Sequence, residues 1–194
     1  MVRKLKPRTV AYRRKREQST DYPKRLKSLL SGKLRLVVRF TNQRIIGQLV
    51  EFTPVGDKVV SAVDSFALKQ HGWKYSCKNI PATYLTGLLL GKKAKTKGFS
   101  EAILDTGLRY PMKKGKMYAF LKGVVDAGLN VPHSGKDIFP DDSRIQGKHI
   151  QQYATVLQKH KEVYQQRFGQ YLKDKAEPEQ ISVQFEQTKK KILG

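Results

Sequence analysis

The stretch KLRLVVRF at residues 33–40 constrains the fold of this chain more than any other feature. Its even-numbered positions are all apolar: Leu34, Leu36, Val38 and Phe40. Arg35 and Arg39 occupy odd positions, and this alternation has the two-residue period of a β-strand. The strand therefore has one apolar face and one largely basic face, and the sequence predicts a sheet with both arginines on the same side.

Turn signals after this strand predict a three-stranded antiparallel meander. Residues 41–43 form a short polar turn that leads into a second strand at 44–52. The sequence PVGD at 54–57 then turns into a third strand at 58–64. Because both connections are short, neighbouring strands are expected to run in opposite directions.

Helices alternate with strands in the next part of the chain. A helix is predicted at 81–97 and a fourth strand at 101–105. Apolar spacings of three and four residues predict a second helix that ends at Gly128, and 129–131 is a candidate fifth strand. Strands joined through helices imply parallel crossovers. The predicted fold class is α/β: a mixed sheet of about five strands in a ribonuclease-H-like layout, flanked by helices.

The two ends of the chain differ from this central part. Residues 1–32 are predicted to form a basic arm and helix, with helical sequence over 12–31 and Asp21 as an N-cap candidate. Residues 33–140 are predicted to form the α/β domain, and 141–194 a helical extension. The polar, sparsely aromatic pattern of the extension fits either a helix laid on its own domain or a helix docked on a partner. A last short helix is expected around three apolar residues: Ile181, Phe185 and Ile192.

The distribution of charge points to a polyanionic partner. The chain has 39 Lys and Arg against 16 Asp and Glu, a formal net charge of +23. Residues 1–35 alone carry 13 basic residues against Glu17 and Asp21, which leaves +11 by subtraction. Such repulsion opposes compaction unless an anion neutralises it, and cationic arms gain affinity for nucleic acid by releasing counterions. A solvated, disordered tail is the alternative interpretation of this segment.

Several other classes of site are disfavoured. A single cysteine, Cys77, allows no intramolecular disulfide and no cysteine-based zinc site, which predicts a reducing compartment, the cytoplasm. No stretch reaches the roughly 18 apolar residues that a membrane span requires. Gly87, Gly91 and Lys92 lack the spacing and the hydroxyl residue of a phosphate-binding loop, so the glycines are expected to permit close packing. No metal or other cofactor is predicted.

An enzymatic hypothesis uses carboxylates at strand ends. Asp64, Asp105 and Asp126 could hold divalent ions for phosphodiester cleavage if the sheet has a ribonuclease-H-like layout. Such enzymes place a metal-binding carboxylate on their first strand, where this chain has arginine. Turn or capping roles for Asp64 and Asp105 are therefore favoured. A metal-dependent RNA nuclease or processing factor remains the alternative function.

The basic clusters are accompanied by aromatic and amide side chains, which favours RNA over DNA. Tyr12, Tyr22 and Tyr110 offer stacking surfaces, and Asn42 and Gln43 offer hydrogen bonds. Folded RNA presents unpaired bases and 2′-hydroxyl groups to such side chains, whereas a uniform duplex does not. The sequence predicts an RNA-binding protein.

Four segments together resemble the large-subunit ribosomal protein L-eighteen family in its archaeal form, whose eukaryotic counterpart is called L-five. They are DYPKRLKSLLSGKLRLVVRFTNQRIIGQLV, PATYLTGLLLGKKA, AILDTGLRY and GVVDAGLNVPH. The resemblance runs from about Arg8 to Ile150 and gives no residue roles beyond that point. It implies a non-enzymatic protein of cytoplasmic ribosomes that binds 5S rRNA and attaches it to large-subunit rRNA in the central protuberance, beside neighbouring ribosomal proteins and without a small-molecule substrate.

The basic clusters and the resemblance together define the expected RNA contacts. Contacts to phosphates are expected to set the register of the protein on the RNA, while amide and aromatic side chains are expected to reach bases or riboses. The predicted RNA-binding residues are Arg3, Lys4, Lys6, Arg8, Tyr12, Arg13, Arg14, Lys15, Arg16, Arg25, Lys33, Arg35, Arg39, Asn42, Gln43, Arg44, Arg109, Lys113, Lys114 and Lys116.

Overall fold

A computed structural model describes residues 9–135 and 137–194 of the chain. The strands are β1 Arg35–Phe40, β2 Ile45–Thr53, β3 Gly56–Asp64 and β4 Ile103–Asp105. The helices are α1 Arg13–Arg16, α2 Tyr22–Leu29, α3 Ile80–Thr96, α4 Lys116–Asp126, α5 Asp142–Ile145, α6 Lys148–Leu157, α7 Lys161–Lys173 and α8 Ile181–Leu193. Two 3₁₀ segments, Ser65–His71 and Pro178–Gln180, complete the regular structure of this part of the chain.

The four strands form one mixed sheet in the order β3-β2-β1-β4. β1 pairs antiparallel with β2, and β2 pairs antiparallel with β3. β4 lies parallel to β1, with Leu104 beside Leu36. The predicted antiparallel meander and the first parallel crossover are therefore confirmed.

The predicted fifth strand is absent from this sheet. Residues 129–131 make one isolated parallel bridge, between Glu101 and Asn130. The Asn130 N–H donates to the Ser100 carbonyl at 2.8 Å, and the Ala102 N–H donates to the Asn130 carbonyl at 3.0 Å. Pro132 follows shortly and has no N–H to continue a ladder. The sheet thus has four strands, and the ribonuclease-H-like layout is not confirmed.

Helices α3 and α4 cover the apolar face of the sheet, on which Leu36 and Val38 are fully buried. Asn79 begins α3 by accepting a hydrogen bond from the Ala82 N–H at 2.8 Å. Although α3 is largely buried, no helix in the described ranges is long and apolar enough to cross a membrane.

Glycines allow α3 and α4 to approach each other closely. A Cβ atom at Gly87 would collide with the Phe120 carbonyl oxygen, and one at Gly91 would lie 3.0 Å from the Val124 carbonyl oxygen. The glycine pair therefore serves helix packing, as the sequence predicts.

The terminal segments are more divided than the sequence predicts. A continuous helix over 12–31 is wrong, because Gln18 has a φ of 50° and separates α1 from α2. Residues 142–173 form three helices, and Gly147, with a φ of 84°, separates α5 from α6. The expected last helix is present as α8, and Phe185 is buried in the same core as the sheet.

We expect Gly87→Ala to destabilise the domain by roughly 1–3 kcal/mol, since the new methyl group meets backbone rather than a movable side chain. Gly169→Ala is the matched control. Gly169 lies inside α7, where an added Cβ would have no atom within 4 Å, so this change should be neutral or stabilising by up to about 1 kcal/mol. Urea unfolding of both variants measures the difference. Equal stability of the two variants would contradict the close approach of α3 and α4.

Candidate nucleic-acid interface

The basic N-terminal segment is exposed where the structure describes it. Helix α1 consists entirely of predicted contact residues, Arg13–Arg16, and buries none of them. Tyr12 precedes it, and its ring centroid lies 5.3 Å from that of Tyr22. The Arg14 Nε donates to the Thr20 hydroxyl at 2.8 Å. Four further predicted residues lie outside the described ranges: Arg3, Lys4, Lys6 and Arg8.

Helix α2 is held on the polar face of the sheet by hydrogen bonds rather than by apolar burial. It has no buried residue, and its start is capped by Asp21, which accepts a hydrogen bond from the Lys24 N–H at 3.0 Å. The Lys24 Nζ donates to the Thr106 hydroxyl at 2.7 Å and to the Gly107 carbonyl at 2.9 Å. The loop after β4 is thereby tied to the N-terminal segment.

A network of ion pairs lies between α2 and the sheet, centred on Arg35. The Arg35 Nη2 lies 2.7 Å from Asp57 Oδ2, and its Nη1 lies 3.0 Å from Asp105 Oδ2. Arg25 reaches Asp57 Oδ1 at 2.8 Å. Arg35 is only 3% exposed. Although it is one of the predicted RNA contacts, the fold places it inside the protein, and we leave it out of the interface.

The arginines control the ionisation of both carboxylates. Burial opposes the charged form of Asp57, but the hydrogen bond from Arg25 and the ion pair with Arg35 outweigh it and lower its pKa below the ordinary value. Burial likewise opposes the charge on Asp105, while the Gly107 N–H and Arg39 favour it, so the pKa of Asp105 is also lowered. Both groups are therefore charged at neutral pH, and the network is intact there.

Basic and amide side chains gather where β1 and β4 end. Since the two strands are parallel, the turn after β1 and the loop after β4 emerge at the same edge of the sheet. Arg39 bridges them through its bond to the Asp105 carbonyl at 3.0 Å, and Arg109 donates to the Phe40 carbonyl at 3.3 Å. We call this region, with the 41–44 turn, the sheet-edge surface.

Hydrogen bonds shape the 41–44 turn on this surface. The Thr41 hydroxyl accepts from the Arg44 N–H at 3.0 Å and from the Gln43 N–H at 3.3 Å. Asn42 and Gln43 are left exposed at the tip. Arg44 pairs with Asp64 at 2.8 Å and lies 5.5 Å from the centroid of the Phe66 ring. The turn thus presents two amides beside a cation and an aromatic face.

The lysines of the loop before α4 are also exposed. Lys113 pairs with Asp137 at 3.0 Å and Lys114 with Asp141 at 3.2 Å, and all four side chains are more than half exposed. Such surface pairs contribute little stability, so an RNA phosphate can replace either carboxylate at small cost. Lys33, another predicted contact, pairs with Glu101 at the far end of β1 and away from the sheet-edge surface.

The structure therefore divides the predicted contacts into groups. Arg35 and the partly buried Arg25 belong to the internal network. The exposed cations and amides of the arm, the sheet-edge surface and the lysine loop remain available to a partner. Sequence reasoning missed Phe66 and Lys24. Phe66 lies two residues after the end of β3, and an aromatic residue so close to a predicted strand end is the sequence signal that would have found it.

The carboxylates of the nuclease hypothesis have structural partners. Asp64 accepts from the Phe66 N–H at 3.0 Å and pairs with Arg44. Asp105 accepts from the Gly107 N–H at 2.8 Å and pairs with the arginines of β1. Both aspartates therefore act as the cap and turn residues that the sequence favours, and the adjacent guanidinium groups repel a divalent cation.

We expect Asp105→Asn to lower the free energy of unfolding by about 2 kcal/mol or more at pH 7, because Arg35 is left buried with one carboxylate fewer. A carboxylate whose pKa is lower in the folded than in the unfolded state stabilises the fold at pH values above the unfolded pKa of about 3.9. This contribution to stability is lost as the pH falls through the folded pKa. The variant should therefore lose less stability than wild type between pH 7 and pH 3. Urea unfolding at both pH values measures this. Exposed Asp137→Asn is the control, and a pH profile for Asp105→Asn identical to that of wild type would contradict the network.

Comparison with known proteins assigns a family to the chain. Residues 7–101 match the family described as ribosomal large subunit proteins 60S L5 and 50S L18. The match includes α1, α2, the antiparallel meander and α3, and thus the 41–44 turn of the sheet-edge surface but not the loop after β4. The chain belongs to this family of large-subunit ribosomal proteins.

Proposed function

We propose that the chain binds 5S rRNA and attaches it to large-subunit rRNA in the central protuberance of cytoplasmic ribosomes. The observation that carries this proposal is the set of exposed cations and amides on α1 and the 41–44 turn, which lie within the segment that matches the ribosomal family. The role is structural, so it needs neither a cofactor nor a small-molecule substrate. Neighbouring large-subunit proteins are the other expected partners.

Each part of the chain has a distinct task in this proposal. Residues 1–32 supply an arm that neutralises phosphates, as the cations of α1 would do. Residues 33–140 form a rigid domain whose sheet-edge surface carries amides for bases and ribose hydroxyl groups. Residues 141–194 form a helical extension.

The arm and the sheet-edge surface are expected to contribute differently to binding. Arginines of α1 have no buried anchor, so they can follow the RNA backbone and add sequence-independent affinity. Asn42 and Gln43 are held in a hydrogen-bonded turn, and a fixed amide can discriminate between base edges. Affinity is thus assigned mainly to the arm, and selectivity to the turn.

Charge reversal at Arg13, Arg14 and Arg16 should weaken binding to a 5S rRNA transcript and flatten its salt dependence. Losing three phosphate contacts reduces the slope of log affinity against log salt by about 2. Filter binding across a range of about 50 to 200 mM salt measures the slope. Reversal of three exposed lysines on the extension is the charge-matched control: Lys159, Lys161 and Lys173.

Two results would contradict the proposed function. If the slope were unchanged in the α1 variant, the arm would not contact the RNA. If the wild-type chain bound 5S rRNA and an unrelated structured RNA of the same length with equal affinity, the proposed selectivity for 5S rRNA would be contradicted. Retention of 5S rRNA from a ribosome-containing lysate at moderate salt would support the proposal.

A further inference from the structure

A cleft of about 1220 Å³ opens between the residues that follow β3 and the helices of the extension. One wall is the 66–78 segment, and the other is formed by α6 and α7. We call it the C-terminal cleft. Nearly half of its lining residues lie beyond residue 101, outside the segment that matches the ribosomal family.

An open aromatic face lines this cleft. Tyr153 on α6 is 48% exposed, and its ring meets Phe168 edge-on at a centroid distance of 6.0 Å. Phe168 is buried and stacks on Tyr171 at 6.0 Å with an interplanar angle of 24°. His149 lies one helical turn before Tyr153 and lines the same cleft. The protein thus supports the Tyr153 ring from one side and leaves it accessible from the cleft.

The charged groups of the cleft are predominantly cationic. Four exposed basic side chains line it: Lys69, Lys74, Lys78 and Arg167. In the described parts of the chain, none of these four forms an ion pair. Asp174 is the one carboxylate among the lining residues, and it accepts a hydrogen bond from Gln170 at 3.2 Å. The cleft is therefore complementary to an anion.

The cleft is continuous with the sheet-edge surface. Asn42 and Gln43, at the tip of the β1–β2 turn, line one end of it. A chain of phosphates that follows the sheet-edge surface can therefore continue into the cleft.

We propose that the C-terminal cleft binds an unpaired segment of the RNA, with a base stacked on Tyr153 and phosphates paired with Lys74, Lys78 and Arg167. This inference rests on the proposed function and extends its binding surface to the C-terminal helices. An acidic protein segment would also satisfy the cations, but its carboxylates provide no aromatic ring to stack on the exposed tyrosine. A nucleotide matches both features, because every base has a face for stacking and every linkage carries a charge.

Substitution of the aromatic platform tests the base contact. In filter binding of the full chain to a 5S rRNA transcript, Tyr153→Leu should weaken affinity roughly ten-fold, since it removes the stacking face. Tyr153→Phe keeps the ring and should retain wild-type affinity. Leucine still packs against Phe168, and a thermal unfolding scan of each variant checks that the fold is preserved.

Neutralisation of two lysines tests the phosphate contacts. Lys74→Gln combined with Lys78→Gln should reduce the slope of log affinity against log salt by about 1.4, the value for two contacts to a single strand. Lys159→Gln combined with Lys173→Gln removes the same charge from exposed positions that do not line the cleft, and should leave the slope unchanged.

Photo-crosslinking of wild-type protein to a 5S transcript that carries 4-thiouridine needs no variant. A crosslink to the peptide that contains His149 and Tyr153 would support the inference. Selective 5S binding with no crosslink there, and with unchanged affinity in Tyr153→Leu, would overturn the cleft contact and leave the proposed function standing. Loss of 5S selectivity in the wild-type chain would overturn both. If Tyr153→Leu weakened the binding of polyglutamate but left the affinity for 5S rRNA unchanged, the inference would be overturned in favour of an acidic protein segment.

Discussion

The position of Arg35 between two carboxylates is the constraint on which the rest of the structure depends. Its guanidinium joins Asp57 at the start of β3 to Asp105 at the end of β4, across the polar face of the sheet. Arg25 extends the network to α2, so one buried charge connects three strands with the N-terminal segment. In a chain with a net charge of +23, these two carboxylates thus serve the internal network rather than the exposed cations of the surface.

The same network also determines how the N-terminal segment is attached to the sheet. Helix α2 buries no side chain, so its attachment depends on Lys24, Arg25 and their polar partners. Interactions of this kind weaken with salt, whereas the contacts between α3 and α4 are apolar and do not. We therefore expect the attachment of α2 to weaken with salt more than the packing of α3 on α4 does.

The sequence was sufficient for elements whose pattern is local. The alternation around Leu36 predicts β1 and its buried face, and the apolar spacing before Gly128 predicts α4. The prediction of a fifth strand was wrong because a run of three residues before Pro132 does not determine whether the hydrogen bonds between strands continue. The burial of Arg35 could not be predicted from the sequence for another reason. Its partner Asp105 is 70 positions away, and only the fold reveals that α2 covers this face. The cleft likewise arises from distant segments.

The C-terminal helices can contribute to function only because α8 anchors them to the domain. Phe185 lies in the main core against Tyr84, with ring centroids 5.7 Å apart. The next layer is polar: Ser182 donates to Gln151 of α6 at 3.0 Å, and Tyr164 of α7 donates to Glu179 at 2.8 Å. An apolar anchor thus fixes the position of α8, and hydrogen bonds orient α6 on α8 and α7 on the 3₁₀ segment that precedes it. The surface that we propose for RNA is consequently built from both ends of the chain: polar contacts attach α2 at one end, and the apolar anchor of α8 attaches the other.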